Sequence, residues 1–117
     1  NGLQDLPAPP GDVSVRFVGS PQVTRNSSGE TGHARDSLAA GWQMAQSGQY
    51  TTIYFNRTLS TCSGGCIQSR FRPDVVAVSR SNGGLNVYES LSPGQNPFAR
   101  EALLSQYYLQ SIRFGNY

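Results

Sequence analysis

At 117 residues the chain has room for one domain with one hydrophobic core, which excludes a two-domain architecture. Hydrophobic residues make up 37% of it and the formal net charge is only +2, a combination that excludes an intrinsically disordered chain. All nine basic residues are Arg; their planar forks suit phosphate oxygens and permit a polyanionic partner, although a GC-rich genome or chance would give the same bias.

No apolar run approaches the ~18 residues of a membrane span. The opening NGLQDLPAPPGD carries no charged and apolar leader, and the absent initiator Met suggests a piece cut from something longer. Residues 1–12 read as a Pro-rich linker and 13–117 as the domain.

Alternation of Val13, Val15 and Phe17 with polar residues predicts a strand over Asp12–Val18. Gly19–Gly29 is loop material. A helix follows from Thr31 or Gly32 to Gln46, with Ala34, Leu38, Trp42 and Ala45 as its buried stripe, Gly41 and Met44 beside it, and Gly48 as its stop. Tyr50–Asn56 is dense in aromatic and β-branched residues and predicts a second strand.

The loop over Arg57–Ser69 carries Cys62 and Cys66. Two sulfurs fall short of a zinc set, so they read as a small disulfide or as two thiols. Pro73–Arg80 and Leu85–Ser90 are strands joined at Asn82-Gly83-Gly84, a hairpin signal. A helix from Asn96 or Pro97 to about Gln110 offers Phe98, Leu103, Leu104, Tyr107 and Tyr108 to the core, and SIRFGNY adds an edge strand. The order predicts a small single α/β domain, a central mixed β-sheet flanked by helices.

The hairpin carries the chemistry. Asp74 opens its first strand and Glu89 nearly closes its second, so the two acids meet at the end opposite the turn. Facing carboxylates repel unless a cation lies between them, and oxygen ligands suit Mg²⁺ or Mn²⁺. Two solvated acids on opposite sides of a hairpin would give the same spacing.

The stretch RPDVVAVSRSNGGLNVYESLSPGQ (Arg72–Gln95) resembles the core of PD-(D/E)xK-like (restriction-endonuclease-like) nuclease domains. More narrowly, it looks like the toxin domains of bacterial polymorphic toxins, including contact-dependent growth inhibition effectors. There a Pro-Asp strand, a Gly turn and a Glu strand precede a Ser/Gln-containing segment and a helix. The preceding GETGHARDSLAAGWQMAQSGQYTTIYFNRTL is similar to the helix and strand that come before that hairpin in the family.

The resemblance implies Asp74 and Glu89 as metal-binding catalytic carboxylates and Glu30 as a third acid, where a first-turn Glu also simply favours the helix dipole. Mg²⁺ is the expected metal, with Mn²⁺ or Zn²⁺ as alternatives. The family's Lys stands two residues after the Glu, and Leu91 occupies that position here. Gln95 or Arg100 would then share its task of orienting water and offsetting charge, with hydrogen bonds from Ser90 and Ser92. The resemblance further implies a C-terminal toxin domain that cleaves nucleic acid, with RNA and tRNA in particular favoured over DNA. It would be delivered as part of a secreted or cell-surface effector, act in the target-cell cytoplasm, and be held by a cognate immunity protein.

His33, the sole imidazole, fits a general acid or base, or merely a polar helix start. Arg57, Arg72, Arg35 and Arg70 would line a phosphate rim or stay solvated. Tyr54, Tyr88, Tyr107 and Tyr108 would stack on bases or fill the core. Two alternatives stand beside the nuclease: a noncatalytic binding module that keeps the fold, and a metal-independent ribonuclease using His33.

Overall fold

The computed structural model of the chain describes residues 14–21 and 30–116. Its elements are β1 (Arg16–Gly19), α1 (Glu30–Gln46), β2 (Tyr50–Phe55), α2 (Leu59–Cys62), β3 (Val75–Ser79), β4 (Leu85–Leu91), α3 (Pro97–Leu104) and β5 (Ser111–Asn116). The five strands form one mixed sheet in chain order. β1 pairs parallel with β2, β2–β3 and β3–β4 are antiparallel, and β4 pairs parallel with β5. Four strands therefore run one way and β3 alone runs back, so the start of β3 lies among the C-terminal ends of the others. The two parallel pairs need crossovers, and α1 and α3 supply them.

Alternation along the strands feeds two cores. Ile53, Phe55, Val75, Ala77 and Tyr88 pack under α1 with Ala40, Met44 and Ala45. Val76, Leu85 and Val87 point the other way, to Leu59 and Cys62 of α2 and Leu104 of α3. Both faces of β3 and β4 are covered, which is why these strands read as nearly continuous apolar runs rather than as alternation.

The buried face of α1 is rotated from the expected stripe. Ser37, Ala40, Gly41, Met44 and Ala45 are buried, whereas Ala34, Leu38 and Trp42 are half-buried at the flank. The helix approaches the sheet through small residues: a side chain on Gly41 would collide with the Phe55 ring. Phe17 of β1 lies 5.2 Å from the Trp42 ring and stacks at 6.3 Å on Phe55, sealing that flank.

Other differences have equally local causes. β1 starts at Arg16, and Asp12 and Val13 lie outside the described residues. The segment expected as plain loop contains α2, because the Thr58 side chain caps it by accepting the Thr61 N–H. Cys62 is buried and Cys66 exposed, and both are free thiols. α3 ends at Leu104 rather than Gln110, and only Leu104 of its core candidates is buried. Phe98, Leu103 and Tyr108 are 79%, 41% and 96% exposed, because residues of α2, β3 and β4 already fill that face. Among the described residues no helix is long and apolar enough to cross a membrane.

Candidate functional site

The open end of the β3–β4 hairpin gathers the expected acids. Val75 pairs with Tyr88, which sets Asp74 level with Glu89 and Ser90 just beyond the ladder. The main-chain oxygen of Asp74 accepts the Asn56 N–H at 3.2 Å, fixing the approach of the chain from β2. Its Oδ2 accepts the Ser90 backbone N–H at 2.7 Å. Its Oδ1 lies 3.1 Å from His33 Nε2 on the first turns of α1. This is the one ion pair among the described residues, and both side chains are nearly buried.

Glu89 is 4% exposed. Burial first, and then a hydrogen bond and like charge from Asp74, push its carboxyl far above the usual carboxylate range, while the positive charge of Arg100 opposes the shift. Glu89 Oε1 is buried with no hydrogen-bond partner, as are the hydroxyls of Ser90 beside it and of Ser37 one turn along α1 from His33. Two carboxyls in contact under low dielectric demand one positive charge between them, a proton or a cation.

That donor set fits a hard divalent ion, since it offers carboxylate oxygens with one of them unengaged. A three-ligand cage is not built: among the described residues no group of three His, Cys, Asp or Glu is arranged to hold a metal. Both Asp74 oxygens are engaged, one by His33 and the other by the Ser90 N–H.

Arginines surround this end. The Arg57 guanidinium packs so close to Gly19, at the end of β1, that its central carbon lies 3.0 Å from where a Cβ would stand. Arg72, two residues before Asp74, donates to the main-chain oxygen of Asn56 at 3.0 Å. Asn56 itself takes a left-handed φ of 52° as the chain leaves β2. Arg100 lies 5.5 Å over the Phe71 ring, where its charge also reaches Glu89. Exposed Arg35 and Arg70 stand apart from this contact set.

The remaining expectations separate. Gln95 accepts the Ser92 N–H through its side chain at 2.7 Å, so these two residues close a turn on each other. The position expected to carry Lys is Leu91, 4% exposed at the end of β4. The Glu30 side chain lies outside the described residues. Tyr88 is 7% exposed and donates to Asp36 Oδ2 at 2.7 Å, and the Tyr107 hydroxyl accepts from Ser69. Tyr88 is thus core, and Tyr107 is half-buried against the second core.

Sequence reasoning missed the Ser90 N–H to Asp74 bond, since a backbone donor has no residue signature. It also missed that His33 and the two acids form one cluster, which depends on the rotation of α1. No protein family, no curated protein and no solved structure matches the chain.

Proposed function

We propose that the chain is a nucleic-acid phosphodiesterase domain using metal-assisted hydrolysis, with RNA, and tRNA in particular, favoured over DNA. The observation that carries this reading is the buried Glu89 carboxyl held against Asp74 with its Oε1 unengaged. A divalent ion held by Asp74 and Glu89, Mg²⁺ first and Mn²⁺ or Zn²⁺ as alternatives, supplies Lewis acidity toward a phosphate oxygen and lowers the pKa of a bound water.

The chain's own residues then divide the work. Asp74 is aimed by the Ser90 N–H, and His33 on its other oxygen receives or returns a proton at Nε2. Arg100 supplies the cation that β4 lacks at Leu91 and offsets charge as the phosphate becomes pentavalent. Arg57 and Arg72 take the flanking phosphates, and no described Arg is ion-paired to a carboxylate that would compete.

The order of helix, strand, Asp strand, turn, Glu strand and helix supports a PD-(D/E)xK-like core. With it goes the toxin setting: delivery as part of a larger secreted or cell-surface effector, action in a target cytoplasm, and a cognate immunity protein.

A second reading is favoured by one distance, the 3.1 Å between His33 Nε2 and Asp74. There an Asp-oriented imidazole does the acid–base work without metal, and Glu89 keeps its proton. The noncatalytic binding module has no comparable observation behind it. The deciding experiment incubates the purified domain with total bacterial RNA and with plasmid DNA, in Mg²⁺ and in EDTA, beside Asp74→Asn. Cleavage that needs Mg²⁺ and is lost in the variant supports the proposal. Cleavage that persists in EDTA but needs His33 moves the assignment to the second reading. A folded protein that cuts neither substrate refutes both.

A further inference from the structure

Beside the carboxyl pair lies a cleft of about 230 Å³ between the end of β4 and α3, lined by Leu91, Gln95, Asn96, Ala99, Arg100 and Leu103. Asn96, Ala99, Arg100 and Leu103 recur at helical spacing, so one face of α3 forms a wall. Leu91, Ala99 and Leu103 are its apolar members, and Gln95, Asn96 and Arg100 its polar ones. The volume is below the ~300–1,000 Å³ of pockets that enclose whole drug-sized ligands, so it suits a small flat fragment.

Two of the polar residues have fixed orientations. The Ser92 N–H holds the Gln95 carbonyl, which turns the amide NH₂ away as a free donor. Arg100, resting over Phe71, joins the cleft to Glu89 and has no carboxylate in ion-pair contact.

We propose that this cleft is a subsite for one unpaired nucleobase, with one face against the Ala99–Leu103 wall of α3, an acceptor edge at the Gln95 amide, and its phosphate at Arg100. The occupant is a nucleotide because the site couples an apolar slot to an unpaired guanidinium in a chain whose basic residues are all Arg. It is unpaired because the slot has room for one base and none for its partner. The inference rests on the phosphodiesterase reading and sharpens it: the substrate is single-stranded, looped or end-frayed nucleic acid.

Binding tests it separately from cleavage. A fluorescein-labelled uridine oligonucleotide, the same strand in a duplex with adenosine, and an abasic oligonucleotide of equal length are titrated into the protein in EDTA. The uridine strand is expected to bind about tenfold more tightly than either competitor, toward the lower end of what stacking one base is worth. Ala99→Trp, at an exposed position, fills the slot and is expected to remove that preference while circular dichroism is unchanged. Equal affinity for the three probes, or a preference untouched by Ala99→Trp, overturns the subsite. Cleavage of RNA by the same preparation in Mg²⁺ then judges the hydrolase independently: a retained single-strand preference in a protein that cuts nothing leaves the subsite standing and removes the enzyme.

Discussion

The two ends of the β3–β4 hairpin are built on opposite rules. At the turn end the Asn86 amide donates to Ala77 O at 3.1 Å and to Ser79 Oγ at 2.8 Å. Its carbonyl accepts from Ser111 Oγ, while Ser79 Oγ donates to Gln110 Oε1. Arg80 ties the neighbouring chain down through the main-chain oxygens of Ser14, Gly48 and Tyr50. No buried side-chain polar atom there lacks a partner. At the open end Glu89 Oε1 and Ser90 Oγ are buried without one, and two acids touch. Such unsatisfied groups cost stability, and they persist where a ligand or a reaction completes them. One end holds the sheet together, and the other is left unfinished.

The largest expected effects break the comparison at its unfinished end. Asp74→Asn and Glu89→Gln should each reduce cleavage by about 10³-fold, roughly 4 kcal/mol of transition-state stabilisation, with circular dichroism unchanged. Glu89→Gln should also melt no lower than the parent, because the folded Glu89 carboxyl is held protonated and the neutral Gln amide keeps its shape and a donor toward Asp74. Full activity in either variant would empty the site of its proposed role.

Next comes the saturated end. Asn86→Ala leaves Ser79, Ser111 and Gln110 without their buried partner and should cost on the order of 3 kcal/mol, read as a lower urea midpoint at unchanged m. Cleavage measured where the variant is fully folded should not change. Loss of activity in the folded variant would mean that the two ends are coupled through β4.

Titration separates the ends more gently. The folded pKa of Glu89 is raised from its ordinary 4.5 toward about 9. The native state therefore holds a proton that the unfolded chain has released, and stability falls as pH rises between these values. Without divalent metal the melting temperature should be lower at pH 8 than at pH 5, by an amount equivalent to about 2 kcal/mol. Mg²⁺ at pH 8 should recover it, and Glu89→Gln should flatten the profile. A wild-type melt indifferent to both pH and Mg²⁺ would show that the carboxyl pair asks for no positive charge.

Much of this architecture is legible in the chain, for identifiable reasons. The Asn-Gly turn brings Asp74 and Glu89 to the same end of the hairpin. A two-residue turn would set Asp74 opposite Leu91, but the loop between the paired Ser79 and Gly84 is longer and puts Asp74 level with Glu89. The edge strand at the C-terminus, the Gly48 stop and the element order follow equally from local chemistry. What is not legible depends on tertiary contact. α1 turns its small residues inward because the Phe55 ring needs the space over Gly41, and only that rotation swings His33 onto Asp74. α3 stops early and leaves Phe98 and Leu103 in solvent because α2, itself a product of one Thr cap, helps fill the face they would have used. That the Gln95 carbonyl is taken up by the Ser92 N–H, while Arg100 is the residue whose charge reaches Glu89, is likewise visible only in the folded chain.

The smallest expected effect locates the boundary between the two ends. Tyr88 lies on β4 between Asn86 and Glu89, buried under α1, with its hydroxyl on Asp36, one turn along α1 from His33. β5 makes room for it with Gly115, where any side chain would collide with the phenol oxygen. Burial and the Asp36 carboxylate raise its pKa well above the usual phenol range, so it is a neutral donor under any working condition. Tyr88→Phe removes one charge-assisted hydrogen bond and keeps the packing, which should cost roughly 1–2 kcal/mol in a urea melt. If Tyr88 belongs with the saturated end, that loss appears in stability alone and cleavage of RNA stays within about twofold. If cleavage falls by tenfold or more, about 1.4 kcal/mol, then Asp36 and Tyr88 hold α1 where His33 can serve Asp74, and the functional end reaches to the middle of β4.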